Sequence, residues 1–314
     1  ILIFIYSCDG KVNTFKKSER PNIILIMSDD MGYSDIAPYG GEIDTPNLSN
    51  LAKKGLKFTQ FYNNARCSAT RASLLTGTYP HQAGIGHHTN PPSDINKHNY
   101  GTPEYSGKLS SNVVTIAEVL KESGYSTIMS GKWHLSSFDK NQWPSQRGFE
   151  NFYGTIAGAC NYFKPEEPRS IFEGNQKLNI DDENYYTTDA FTDKAIQYIN
   201  KVKRKNSEKP FFLYLSYNAP HWPLHAPKED IDKYRGNYLK GWENLREERY
   251  KRMIEMGLID SSWNLSYDDI VSWNSLSEEK RREMDLRMAI YSAMIDRMDQ
   301  NIGRLVESLK KKNI

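Results

Sequence analysis

The run Ile23-Ile24-Leu25-Ile26-Met27 restricts the fold more than any other stretch of the 314-residue chain, because it is apolar without interruption and halts at Ser28-Asp29-Asp30. A strand with one wet face would alternate with polar residues; an unbroken run fits a parallel strand covered on both faces. Helix signals follow it. Thr45-Pro46 pairs an N-cap residue with proline at the first helical position, Leu48, Leu51 and Ala52 supply an apolar face, and Gly55 a stop. Thr115 and Glu118 have capping-box spacing, with Ile116, Val119 and Leu120 as apolar positions and Gly124 at the end. Tyr125 to Ser130 then reads as a strand running into Gly131-Lys132-Trp133-His134. A third unit couples a helix around Phe191, Ala195, Ile199 and Val202 to a strand at Phe211-Phe212-Leu213-Tyr214-Leu215.

Helix and strand in alternation predict an α/β fold with a mainly parallel sheet flanked by helices. Ligand crevices in such sheets lie beyond the carboxyl ends of the strands. Those ends carry Asp29-Asp30, Lys132 with His134, and Asn218 to His221, so three sets of chargeable residues are expected on one rim.

Charge removes one class of partner: 41 Lys and Arg against 39 Asp and Glu leave a net +2, no footprint for nucleic acid. With 38% apolar residues and a mean hydropathy of −0.71, the chain reads as a water-soluble globular protein. A chain of this length buries roughly three quarters of its unfolded surface and needs no disulfide staples. Its three cysteines, Cys8, Cys67 and Cys160, make no framework, and Cys160 beside Ala157, Gly158 and Ala159 is expected to be a buried free thiol.

The opening Ile1-Leu2-Ile3-Phe4-Ile5-Tyr6 is too short to span a bilayer and reads as the remnant of a signal peptide over residues 1–8. Ile5-Tyr6-Ser7-Cys8 resembles a bacterial lipobox, although Tyr6 departs from the usual small or aliphatic residue. The expectation is an exported protein, periplasmic or at the cell surface, lipid-anchored through Cys8, with residues 9–20 a polar tether and 21–314 the folded domain. A purely secreted start or an N-terminal strand is the alternative. At the other end, Ser277 caps a helical stripe of Met284, Met288, Tyr291, Ile295, Met298, Ile302, Leu305 and Leu309. A crossover helix should feed another strand, expected beyond Ile314. The weakly periodic segment between Trp222 and Trp273 reads as an insertion over the crevice. Glu243 to Arg252 would be a solvated helix face, and Lys201 to Lys205 a solvated helix end.

Two carboxylates side by side, as at Asp29 and Asp30, repel unless a positive group intervenes, and a hard divalent cation is one solution. Cys67-Ser68-Ala69-Thr70-Arg71-Ala72-Ser73-Leu74-Leu75-Thr76-Gly77 is more specific. As a helix starting near Cys67 it brings Arg71 round one turn onto the same side, and the helix start plus a guanidinium fork suits a tetrahedral oxyanion. A reactive thiolate is a second reading, but a tyrosine-phosphatase loop separates cysteine and arginine by five residues where three stand here. His81, His87 and His88 match no zinc spacing and are expected on the surface or lining a pocket.

Cys67-Ser68-Ala69-Thr70-Arg71 with Leu74-Leu75-Thr76-Gly77, then Gly124-Tyr125-Ser126-Thr127 with Gly131-Lys132-Trp133-His134-Leu135, resemble the two signatures of the type I, formylglycine-dependent sulfatases. Asp29-Asp30-Met31-Gly32, Thr45-Pro46-Asn47-Leu48 and Ala219-Pro220-His221 extend the resemblance, and Ala83-Gly84-Ile85-Gly86 is similar to bacterial arylsulfatases. The resemblance implies an alkaline-phosphatase-like fold. Cys67 would be oxidised by a formylglycine-generating maturation enzyme, and the aldehyde's hydrate would supply two hydroxyls. One would attack sulfur and the second would expel sulfate, a step serine could not perform. Asp29, Asp30 and residue 67 as formylglycine would bind calcium. Arg71 would hold the hydrate; Lys132 and His134 would meet the sulfate and the hydrate respectively; His221 would bind sulfate or protonate the leaving oxygen. Substrates would be sulfated small molecules or glycans, the ester an aryl or carbohydrate sulfate. Ala69 replaces the proline of many relatives. The family's second calcium pair, an Asp-Asn, and its smaller C-terminal subdomain are expected beyond Ile314. Two rivals share these residues: a formylglycine phosphonate or phosphodiester hydrolase, and a catalytically silent sulfoglycan-binding protein.

Overall fold

A computed structural model describes residues 20–89, 93–266 and 270–314; Cys8, the signal remnant and the tether up to residue 19 lie outside the described residues. Among the described residues six strands form one sheet: β1 (Ile23–Asp29), β2 (Ser126–Gly131), β3 (Asn151–Thr155), β4 (Ile171–Glu173), β5 (Gln176–Leu178) and β6 (Phe211–Pro220), in the order β1-β6-β2-β3-β4-β5. The first four in that order run parallel, and β4 and β5 add an antiparallel hairpin. All ten residues of β6 are buried, because it lies inside the sheet with helices over both faces. Its side chains alternate: Phe211, Leu213 and Leu215 join a cluster with Phe191, Ile295 and Met298, while Phe212 and Tyr214 join Leu75, Ala117 and Met129 on the other face. β1, expected to be covered on both faces, is instead half-buried up to Ser28, because it is the edge strand among the described residues.

Helices α1 (Pro46–Lys54), α2 (Cys67–Thr76), α3 (Ile116–Glu122), α4 (Thr187–Lys205), α5 (Lys228–Asp232), α6 (Trp242–Glu255) and α7 (Glu278–Lys310) surround the sheet. The capping box at Thr115 forms, with Glu118 N donating to Thr115 Oγ1 and Thr115 N to Glu118 Oε2. The face of α3 differs from expectation: Ala117 is the buried residue, while Ile116 and Val119 are exposed and Leu120 packs partly. Thr45 precedes α1 as expected, but its Oγ1 accepts from Ala37 N rather than capping. The cap comes from α7, where Asp299 accepts from Asn47 N at 3.0 Å and Leu48 N at 2.7 Å. Ser277 caps α7, accepting from Lys280 N. Among the described residues no helix is long and apolar enough to cross a membrane.

None of the described residues between Trp222 and Trp273 lines the cavity at the strand ends. That segment carries α5 and α6, and Arg249 of α6 binds Asp35 and Glu42, so the supposed solvated face is partly a docking face. A separate cavity of about 490 Å³, lined among others by Glu42, Trp242, Leu245 and Met253, lies beneath it.

Candidate active site

The approach to α2 fixes Cys67 at its first position. Arg66 is extended, Ala65 N donates to Asn63 Oδ1, and Asn64 reaches back to Thr70 Oγ1 and Ser73 Oγ. The Arg66 side chain makes no capping bond, and among the described residues the first-turn N–H groups and positive end of the helix are left for an anion.

One turn later Arg71 is fully buried. Its Nη1 donates to Lys132 O at 2.8 Å and to Ser216 Oγ, and its Nη2 lies 3.2 Å from Asp29 Oδ1. The buried Nε has no partner among the described residues. Lys132 is delivered by the end of β2, where Gly131 takes φ +123° and a Cβ would strike Ser216 O of β6, so the two backbones can close only on glycine. Lys132 Nζ donates to Asp29 Oδ2.

Asp29, 2% exposed, thus answers two buried cations. Burial pushes its carboxyl up, but Arg71 and Lys132 outweigh that and hold it below the usual range. Lys132 is pushed down, first by burial and also by Arg71, with Asp29 opposing.

His134 adopts φ +57° as the chain turns away from the sheet, its N–H on Ile156 O. Its ring stacks on that of His88 at 5.8 Å between centroids. A Cβ on Gly158 would come within 2.6 Å of His134 Nε2, so glycine alone leaves room for the ring. Burial, then the charges of Lys132 and Arg71, drive the His134 pKa well below its ordinary value, which favours the neutral imidazole. Burial and Arg66 lower His88 too. At the end of β6 the Tyr162 hydroxyl reaches Asn218 O at 2.7 Å and His221 O at 2.8 Å, pinning the turn, and His221 Nε2 lies 3.5 Å from Asp30 Oδ2.

These groups surround a cavity of about 430 Å³ whose wall includes Cys67, His88, Thr89, His134, Arg169 and His221. Arg71, Asp29 and Lys132 are linked to one another by ion pairs and hydrogen bonds and are not part of that wall. Lys132, expected to meet a sulfate, spends its ammonium on Asp29 in this structure. The three strand ends therefore do converge. Sequence reasoning left His88 as one of several surface or pocket histidines, and Arg169 without any role; Glu166-Glu167-Pro168-Arg169 carries no motif. Cys160 is a buried free thiol as expected, pushed up by burial to about 12.

The donor chemistry at β1 suits a hard cation: Asp29, whose two oxygens meet Arg71 and Lys132 here, and its exposed neighbour Asp30 set two carboxylates at one strand end. The residues present fit calcium in kind, provided that residue 67 offers oxygen rather than thiol sulfur.

The fold and these motifs define a class. The sulfatase family model matches residues 21–314, and the chain belongs to that family, with its alkaline-phosphatase-like α/β fold. The chain is 37% identical over 313 residues to an uncharacterised sulfatase of Schizosaccharomyces pombe, covering 95% of this chain and 56% of that protein. It is 35% identical over 304 residues to an arylsulfatase of Klebsiella aerogenes, covering 94% and 63%. Among solved structures, Ps i-CgsB in complex with k-i-k-neocarrahexaose is similar at 26% identity and a TM-score of 0.66, over 94% of this chain and 56% of that one. The chain thus spans little more than half the length of such relatives.

Proposed function

We propose that this protein hydrolyses sulfate esters of aryl or carbohydrate alcohols, with residue 67 acting as formylglycine and Asp29 and Asp30 holding calcium. The observation that carries the reading is the placement of Cys67: it starts a helix without a side-chain cap, opens onto the cavity and is followed one turn on by a buried arginine whose Nε has no partner among the described residues. Membership of the sulfatase family, the arylsulfatase relative and the oligosaccharide-bound neighbour support the substrate class.

A formylglycine hydrate supplies two hydroxyls on one carbon, one to take the sulfuryl group and one to drive its release. Calcium held by the two aspartates would supply positive charge to the nucleophilic oxygen and the sulfate. The chain's own residues do the rest. Arg71 is locked by Lys132 O and Ser216 Oγ, so its positive charge is held in one position near residue 67 without a search for the right rotamer. His134, favoured as the neutral imidazole for the reasons above, has a lone pair to accept a hydroxyl proton. His221 also lines the cavity and would give a proton to the leaving oxygen. Lys132 and Arg169 add positive charge for a sulfate. Ala69 at the third helical position is fully helical and buried, so the absence of proline there leaves α2 intact.

Parallel assays on aryl sulfate, aryl phosphate and phosphonate esters test the reading. Turnover of the sulfate with much weaker turnover of the phosphorus esters is expected; a large preference for phosphorus overturns it, as does ligand affinity without turnover in matured protein. Export and lipid attachment at Cys8 belong to the same proposal. Incorporation of a palmitate analogue at Cys8 supports anchoring, and an unlabelled Cys8 refutes it.

A further inference from the structure

We propose that, while residue 67 is still a thiol, Cys67, His88 and His134 form a binding site for a zinc-class divalent cation. One ligand atom from each of the three lies within 4.8 Å of the others. Tetrahedral zinc, with Zn–S of about 2.3 Å and Zn–N of about 2.0 Å, sets sulfur and nitrogen about 3.5 Å apart. Cys67 Sγ and His88 Nδ1 are already 3.7 Å apart. His134 Nδ1 is buried and has no hydrogen-bond partner among the described residues, and its ring is held against His88. Two imidazoles and a thiolate are soft or borderline donors, wrong for calcium and right for zinc. The cavity leaves a fourth position for water or an anion.

Charge limits the site's strength. Arg66, Arg71 and Lys132 bring three positive charges near the ligands, and Asp29 and the thiolate offset two, so the thiolate and imidazoles hold the cation against one uncompensated positive charge. Binding breaks the S–H bond: the sulfur keeps the electron pair and donates it to the metal, and one proton leaves to solvent. The site belongs to the unmatured state alone. Replacing sulfur by a hydrated aldehyde removes the soft ligand, so the chemistry of residue 67 decides whether this end of the sheet takes a soft cation at the histidines or a hard one at Asp29 and Asp30.

The test uses protein whose mass shows an intact Cys67 thiol, stripped of metal and titrated with cobalt(II) as a coloured stand-in for zinc. A saturable near-ultraviolet thiolate-to-cobalt band at one ion per chain is expected, bleached by added zinc and lost in Cys67→Ser. His88→Ala should weaken binding by at least about tenfold, the lower end of what disturbing a metal's surroundings costs. An absent band, full affinity in His88→Ala, or an equal loss in the exposed-residue control His81→Ala overturns the proposal. Because the readout is spectroscopic and uses the thiol form, its failure leaves sulfate hydrolysis untouched, and failure of the hydrolysis reading leaves this site untouched.

Discussion

Asp29→Asn asks whether one carboxylate neutralises the buried base of the site. Lys132 and Arg71 are both fully buried, and their only anionic partner among the described ion pairs is Asp29. Asparagine keeps one oxygen to accept from Lys132 Nζ but presents no charge, and its NH₂ cannot pair with a guanidinium. Removing one partner of a buried pair costs about 3–5 kcal/mol. At about 2–4 °C per kcal/mol for a domain of this size, Tm should fall by about 6–20 °C, measured by circular dichroism in chelator so that no metal linkage contributes. The deficit should depend on pH with a definite sign. Burial already lowers the Lys132 pKa from 10.5, and Asp29 is what opposes that. Without Asp29 the folded pKa drops further below the unfolded one, so the fold favours neutral lysine and the variant regains stability as pH rises from neutral towards 10.5. In the unsubstituted protein the same cluster acts on the acid side: the lowered Asp29 pKa contributes stability above the unfolded value of 3.8 that is lost as pH falls through the folded one. A deficit below about 2 °C at neutral pH, under the shift expected for 1 kcal/mol, or one that does not shrink in alkali, would refute this reasoning.

Gly158→Ala drives a methyl into His134 and should lower kcat by up to about 10²-fold through misplacement of the ring while the far-UV spectrum stays unchanged; unaltered kcat contradicts the contact. Asp299→Ala strips α1 of its cap from α7 and should cost about 2 kcal/mol, read from the urea midpoint, with no shift if Thr45 is the true cap. Cys160, buried and raised to about 12, should resist alkylation in the native protein while an unmatured Cys67 reacts, as peptide mass mapping would show; early labelling at Cys160 would contradict its burial.

What was legible in the sequence was local. The Thr115 capping box and the Ser277 cap each need neighbours a few residues away, and each forms as expected. Cys67 and Arg71 fall one turn apart because helical periodicity alone places them. Long-range partners were not legible. The N–H groups of α1 find Asp299, 252 residues on from Asn47, and so release Thr45 for Ala37. Val119 was expected inward but faces solvent, because on a helix as short as α3 the small Ala117 packs at the sheet instead. The segment before Trp273 was aimed at the crevice, yet Arg249 ties it to Asp35 and Glu42, a pairing no spacing reveals. His88 joins Cys67 only through the loop that folds back over the start of α2, where Ser68 Oγ meets His87 O.

The most direct measurement pairs the aldehyde content of residue 67, from the mass of its tryptic peptide, with sulfate-ester turnover across preparations of the cell-made protein matured to different extents. Turnover should rise in proportion to the aldehyde fraction and vanish in Cys67→Ala. Equal rates from preparations whose residue 67 is wholly thiol would contradict the account.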